Sequence, residues 1–190
     1  MDQLENFKDI MEFKRQNKYK AILLIGNHDF HYMPEAKETY SGYQDQYAYL
    51  IKTCIADARR ENMLQMAWQW KNILFTHAGV SKTFLDSLIA EADTVAERLN
   101  DSFYFKPTTF RFNGYNSGGE DITQSCIWIR PRSLATNAVD GHVQVVGHTR
   151  MADGILNVGN FWFIDTLEDK NKQYLRITED KFEACYVNTK

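Results

Sequence analysis

Residues 21–29 read AILLIGNHD, and this segment decides which fold the chain favours. The apolar residues 21–25 form a short continuous run that ends at a glycine, which is the pattern of a buried β-strand. The polar residues Asn27, His28 and Asp29 follow directly after that glycine. Ligands of layered α/β folds bind beside the carboxyl ends of strands, so the segment predicts both a strand and a site.

The same arrangement recurs at two later positions. His77 follows the apolar run 73–76, and His148 follows the run 143–146. One histidine in such a place is most often an ordinary core or surface residue, but chance is a poor explanation for three matching strand exits. We therefore predict that these three exits, which carry His28, His77 and His148, form one active site, with small neighbours that let a metal ion or phosphate approach. His31 and His142 lack this setting and are predicted to be surface residues.

Hydrophobic spacing predicts the remaining helices and strands. Asp2 and Ser81 are predicted helix N-caps, and the helix after Ser81 is expected to bury residues 84, 85, 88 and 89. Residues 100–123 lack a clear period and are predicted to form a long loop. Because helices and strands are mixed along the chain, they favour one α/β layered domain over residues 1–190. The other predicted elements are helices at about 2–16 and 45–61 and strands at 64–70, 73–76, 143–146, 161–165, 174–177 and 182–187.

Composition excludes several classes of partner. The 190 residues carry a net charge of −3, so nucleic acid is not an expected partner. No secretory signal is visible, and the apolar run 21–25 is too short to cross a membrane. Cys54, Cys126 and Cys185 are odd in number and far apart, which favours free thiols in a reducing compartment. The sequence therefore predicts a cytoplasmic protein without membrane contact.

Four motifs resemble those of a known family. GNHD at 26–29, THAG at 76–79 and GHT at 147–149 resemble the third, fourth and fifth signatures of the calcineurin-like metallophosphoesterases. IWIRP at 127–131 resembles bacterial members of the serine/threonine phosphoprotein phosphatase branch. The resemblance implies a metallophosphoesterase-type β-sandwich flanked by helices. It also implies hydrolysis of phosphate monoesters with two divalent metal ions, of Mn, Fe or Zn.

The resemblance implies ligands for one of the two ions. Asn27 would give its carboxamide oxygen, and His77 and His148 would give ring nitrogens. Gly79 and Gly147 would leave room for the metal cluster. Imidazole and carboxamide donors suit Mn, Fe or Zn, and the sequence does not choose among them.

Three further residues take roles by the same resemblance. His28 would protonate the leaving alkoxide as general acid, and Asp29 would orient it or support the structure. Arg130 would hold the substrate phosphate, for which a planar and permanently charged guanidinium is well suited.

The chain departs from the family pattern before Gly26. Neither an Asp-x-His nor a Gly-Asp-x-x-Asp motif precedes that residue. The resemblance therefore implies a domain that is truncated at its N-terminus and lacks the first strand-helix-strand unit. Such a chain is expected to bind at most one ion weakly, to be inactive alone, and to self-associate through the edge of the strand at 21–25.

Three functions fit these motifs. The first is a protein-phosphatase-like enzyme that acts on a phosphoprotein or a small phosphate ester. The second is a nucleotide phosphatase or diadenosine polyphosphate hydrolase, since pocket shape and not the metal ligands would separate these substrates. The third is a non-catalytic fragment that acts through binding.

Overall fold

The computed structural model describes residues 3–37, 39–114, 117–167, 172–179 and 181–187. Helices and strands are mixed along the chain in an α/β fold, in agreement with the predicted layered class. The predicted N-cap Asp2 lies outside the described residues. The helices are α1 (Gln3–Gln16), α2 (Asn27–Phe30), α3 (Ala48–Arg60), α4 (Lys82–Asp86), α5 (Val95–Phe105) and α6 (Pro131–Thr136). The strands are β1 (Leu23–Leu24), β2 (Leu64–Gln65), β3 (Ala67–Trp70), β4 (Ile73–Thr76), β5 (Val143–Val146), β6 (Leu156–Val158), β7 (Phe161–Phe163), β8 (Gln173–Ile177) and β9 (Phe182–Tyr186).

A five-stranded mixed sheet organises the second half of the fold. Its order is β3-β4-β5-β7-β6, with β5 parallel to both β4 and β7 and the outer pairs antiparallel. A tight turn joins β3 to β4, and its residue Lys71 has a positive φ of 56°. The predicted strands at 73–76 and 143–146 are confirmed with the same bounds. Their burial reflects their central place in the sheet.

The predicted strand at 64–70 is wrong as a single element. The chain forms β2, passes Met66 and then forms β3, and these two strands belong to different sheets. The Asn100 side chain stabilises this change of direction, because its Oδ1 accepts from the backbone N–H groups of Met66 at 2.9 Å and Ala67 at 3.1 Å. A contact from 34 residues away thus interrupts a locally regular strand pattern.

The first strand has one neighbour among the described residues. β1 pairs in parallel with β2, Leu23 opposite Leu64, in a sheet of two strands. Leu23 and Leu24 also line a cavity of about 220 Å³ that α1 borders through Ile10. Ile22, just before the strand, is 40% exposed. Self-association through this edge stays a prediction.

The helices follow the sequence pattern more closely than the strands. α1 buries Leu4, Phe7 and Met11, and α3 follows a 3-10 turn at Asp45–Tyr47. Ser81 caps α4 as predicted, since its Oγ accepts from Phe84 N at 3.0 Å. Burial of Ile89 was a wrong expectation: α4 ends at Asp86, and Ile89 is 81% exposed.

The predicted loop at 100–123 is wrong over its first part. α5 continues to Phe105, followed by 3-10 turns at Pro107–Phe110 and Ser117–Gly119. A capping box of Thr94 and Glu97 begins α5, and Leu99 and Phe103 pack into the core. This amphipathic helix spans the boundary where the loop was expected to begin.

The C-terminal strands do not form a simple meander. β7 joins β5 in parallel, and its antiparallel partner β6 was not predicted. β8 and β9 form a separate hairpin. None of the helices in the described part of the chain is long and apolar enough to span a bilayer.

Candidate metal and phosphate site

Two of the predicted ligands leave neighbouring strands at the same end of the sheet. β4 and β5 are parallel with Thr76 opposite Val146, so His77 and His148 emerge side by side. A hydrogen bond from Gly147 N to His77 O, 2.9 Å long, continues the ladder past the strands. Strand pairing therefore places the two imidazoles together.

Asn27 reaches the same point from the small sheet. It is buried at the start of α2, directly after β1 and Gly26. Its Oδ1 lies 2.8 Å from His77 Nε2, and that nitrogen lies 3.2 Å from His148 Nδ1. We call Asn27, His77 and His148 the donor trio. Their predicted convergence is confirmed, although 50 and 71 residues separate them in sequence.

The spacing within the donor trio suits a single divalent ion. Two metal–ligand bonds of about 2.1 Å at a right angle place their donor atoms about 3.0 Å apart. The observed 2.8 and 3.2 Å bracket this value. One carboxamide oxygen and two imidazole nitrogens form a donor set for Mn, Fe or Zn. Within the described ranges no group of three or more His, Cys, Asp or Glu side chains could hold a metal, so the carboxamide is essential to this set.

Both histidines of the trio are held neutral. Burial, followed by the charges of His28 and Arg130, lowers the pKa of His77 to about 4. Burial, followed by the charges of His77 and Arg130, lowers the pKa of His148 to about 3. A neutral imidazole keeps a lone pair free, which is the form that binds metal.

His148 shows two signs of constraint. Its φ of 63° lies in the left-handed region, which is uncommon for a residue with a Cβ. Its buried Nε2 has no hydrogen-bond partner among the described residues. Strained backbone of this kind concentrates at functional sites, where the surrounding structure holds it in place.

The guanidinium of Arg130 lies beside His148. Arg130 Nη1 donates to Thr149 Oγ1 at 3.1 Å and to His148 O at 3.4 Å, and Nε donates to Gly118 O at 2.9 Å. These three bonds fix the plane of the group. A fixed, permanently charged group next to the donor trio is suited to bind an anion.

His28 and Asp29 lie outside the donor trio. His28 is exposed on α2 directly after Asn27, and its charge contributes to the lowered pKa of both trio histidines. Burial raises the pKa of the Asp29 carboxyl, and a hydrogen bond from Gly26 N at 2.9 Å opposes that shift. Asp29 therefore closes the turn of α2 rather than contacting the trio directly.

Gly79 and Gly147 differ in what a side chain would meet. A Cβ on Gly79 would clash with the buried side chain of Leu134, and a Cβ on Gly147 would meet only His77 O at 3.5 Å. Leu134 therefore fills the space beside Gly79, whereas room for metals at Gly147 stays a prediction. Gly26 is the glycine against the site, because its Cβ would lie 2.9 Å from the His77 ring.

His31 is buried, and its predicted surface position is wrong. It is 3% exposed and packs among aromatic rings, 4.5 Å from the centroid of Tyr32 and 5.1 Å from that of Tyr43. Tyr40 N donates to its Nδ1 at 3.4 Å, and its Nε2 has no partner among the described residues. Its ring centroid lies 5.6 Å from that of His28, so this aromatic cluster supports the base of α2.

The sequence pattern missed the residues that support Arg130. Thr149 and Gly118 accept its hydrogen bonds, and Trp128 packs near His148 with a ring-centroid distance of 6.2 Å. Thr149 follows His148 directly, so its place in the GHT motif was an available signal. No sequence signal indicated Gly118, because its backbone carbonyl, and not a side chain, accepts the hydrogen bond from Arg130.

Replacing His31 by phenylalanine should make the fold less sensitive to acid. Burial, followed by the charge of His28, lowers the pKa of His31 to about 4, from 6.5 in the unfolded chain. Between these pH values the unfolded chain binds a proton that the folded chain does not, so stability falls as the pH drops. For His31 this loss is about 1–2 kcal/mol between pH 7 and pH 5.

Urea denaturation of wild type and His31→Phe at pH 7 and pH 5 measures this effect. The variant should lose less stability over that interval by the stated amount. Identical losses in the two proteins would show that His31 titrates equally in the folded and unfolded chains.

No protein-family model, curated protein or solved structure matches this chain.

Proposed function

We propose that this chain carries the metal-binding and phosphate-binding part of a phosphoesterase site, of the metallophosphoesterase type and closest to the phosphoprotein phosphatase branch. The reaction is hydrolysis of a phosphate monoester, from a phosphoprotein or a small phosphate ester. One observation carries the proposal: Asn27 Oδ1, His77 Nε2 and His148 Nδ1 converge beside the anchored guanidinium of Arg130.

The donor trio would hold the metal ion. A divalent cation at this point supplies Lewis-acid chemistry, which polarises a phosphoryl oxygen and offsets charge as the phosphate is attacked. The three donors already lie close together, since His77 Nε2 is 2.8 Å from Asn27 Oδ1 and 3.2 Å from His148 Nδ1. Such a preformed site costs little reorganisation on binding.

Arg130 binds and orients the phosphate. Its contacts with Thr149 and Gly118 hold the guanidinium in one plane, so that remaining N–H groups can donate to phosphoryl oxygens. His28, exposed next to Asn27, would give a proton to the leaving alkoxide. The site would thus combine a metal ion, an anion-binding group and a proton donor.

The donor trio carries no charge, and this limits how tightly the chain alone can bind metal ions. All three donors are neutral, and a carboxylate is the usual means of offsetting a divalent ion and bridging it to a second one. We therefore expect one weakly held ion rather than two. Hydrolysis of p-nitrophenyl phosphate with Mn²⁺ is expected to remain at the background rate. A substantial rate abolished by chelation would contradict this expectation.

Binding of a phosphate-ester analogue tests the proposal directly. Phenylphosphonate has a carbon–phosphorus bond that hydrolysis does not cleave, so titration calorimetry reports binding alone. It should bind in the presence of MnCl₂ and much more weakly without it. Replacing Arg130 by methionine removes charge-assisted hydrogen bonds and should weaken binding by about 10- to 100-fold.

Arg132→Met is the matched control. Arg132 is an exposed arginine of α6 two residues away, and its loss should change the affinity by less than about twofold. Equal affinity in wild type and Arg130→Met would reject the assigned role of Arg130. Absence of metal-dependent binding in the wild type would reject the proposed function.

A further inference from the structure

A second cavity lies away from the donor trio, between the end of α4 and the end of α5. It encloses about 300 Å³, and carbon atoms dominate its lining. Leu88, Ile89 and Ala90 line it from the segment after α4, and Phe105 lines it from the last turn of α5. Its volume is at the lower end of the range for small-molecule pockets, which are typically apolar with few polar groups.

An unsatisfied hydroxyl lies in the wall of this cavity. Ser102 lines it and is 6% exposed, yet its Oγ makes no hydrogen bond with any described residue. A buried hydroxyl without a partner is unfavourable, and native proteins normally satisfy such groups. The hydroxyl is therefore available to a ligand that carries a hydrogen-bond acceptor.

Cationic side chains lie on both sides of Ser102 in the sequence. Arg98 and Ser102 are four residues apart, near one face of α5, and Lys106 follows directly after the last residue of that helix. Arg98 Nη2 donates to Leu88 O at 2.9 Å, whereas its buried Nε has no partner among the described residues. Lys106 is exposed and lines the cavity.

We propose that this cavity binds an amphiphilic carboxylate, with its apolar chain between Leu88 and Phe105 and its carboxylate held by Lys106 and the Ser102 hydroxyl. The C-terminal end of a helix carries partial negative charge, which disfavours an anion near Phe105. Lys106 is the group that offsets this charge. Binding of the carboxylate is therefore expected to depend strongly on Lys106.

The volume of the cavity limits the length of the ligand's apolar chain. An apolar cavity of about 150 Å³ accommodates benzene, so one of twice this volume takes a chain of roughly eight to ten carbons. Decanoate meets this size. Butyrate has the same carboxylate and a chain too short to fill the cavity, and decanol has the same chain without the charge.

Titration calorimetry of the full chain with sodium decanoate, butyrate and decanol tests this proposal. Decanoate should bind with a dissociation constant below about 0.1 mM, and butyrate and decanol should each bind at least about tenfold more weakly. Absence of heat with decanoate would overturn the proposal. Equal affinity for decanol would overturn the assignment of a carboxylate.

Two variants localise the binding. Ala90 is half-buried in the cavity wall outside the regular elements, so Ala90→Trp should fill the cavity without disturbing the core and weaken decanoate binding at least about tenfold. Lys106→Met should weaken it by about 3- to 10-fold, and Lys106→Arg should restore it. Lys52→Met, at an exposed lysine of α3, is the control and should bind as wild type does. Unchanged affinity in both Ala90→Trp and Lys106→Met would place the bound decanoate elsewhere and overturn the proposal.

Discussion

Gly79→Ala is expected to lower the free energy of unfolding by about 2–5 kcal/mol. Gly79 has a φ of 109°, a conformation that side chains with a Cβ rarely adopt. Its Cβ would lie 3.0 Å from Leu134 Cδ1 and closer still to Cδ2. Backbone strain and overpacking therefore act together at one position.

Urea denaturation followed by circular dichroism measures this loss. Gly114→Ala is the matched control, because a Cβ there meets nothing within 4 Å and the residue has no positive φ. It should change stability by less than about 0.5 kcal/mol.

A double-mutant cycle separates the two causes. Leu134 is fully buried, so Leu134→Ala alone should destabilise the fold, but it also removes the clash with the new methyl group. The double variant should therefore be more stable than additivity predicts, by about 0.5–3 kcal/mol. Strict additivity would assign the whole effect to the backbone of Gly79.

His77→Ala is expected to weaken zinc binding by about 100-fold or more. His77 Nε2 is the central atom of the donor trio, since it is the one that lies near both Asn27 Oδ1 and His148 Nδ1. Even outer residues that orient metal ligands commonly change affinity by 10- to 100-fold, so removing a ligand should match or exceed this range. Competition with a chromogenic chelator at pH 7 measures the affinity.

His142→Ala is the control for His77→Ala. His142 is half-buried, its Nδ1 lies 2.8 Å from Asp140 O, and it lies outside the donor trio. Its loss should leave zinc affinity within about twofold of wild type. Circular dichroism of each variant tests whether the fold is retained. Zinc binding that survives in folded His77→Ala would show that the ion is held elsewhere and would remove the main support for the proposed function.

Some elements depend only on residues that are neighbours in sequence, and the sequence alone predicted these. The run 143–146 reads Val-Gln-Val-Val and is bounded by a histidine and a glycine, so its bounds were predicted as β5 has them. Ser81 caps α4 because a serine hydroxyl reaches the N–H three residues on, whatever lies further away. The recurrence of histidine after three strands also predicted a site at the strand ends, and the motif resemblance selected Asn27, His77 and His148 within it.

The burial of single side chains required the tertiary structure. The alternating pattern at 64–70 is that of one strand, yet Asn100 accepts two backbone N–H groups at Met66 and Ala67 and divides it. His31 is polar, but Tyr32, Tyr40 and Tyr43 surround it. No local sequence pattern predicts the contacts of Asn100 or of His31, because both depend on how other segments of the chain pack against these residues.

For the two candidate sites as well, some features were predicted from the sequence and others required the tertiary structure. The prediction that Asn27, His77 and His148 are metal ligands came from the sequence motifs, and it draws on the donor atoms of these residue types. The tertiary structure alone decided which glycine borders the site, what anchors Arg130, and that Ser102 borders an apolar cavity. The physical reason is that donor chemistry belongs to a residue type, whereas distance, burial and the loss of hydrogen-bond partners arise only when segments far apart in sequence pack together.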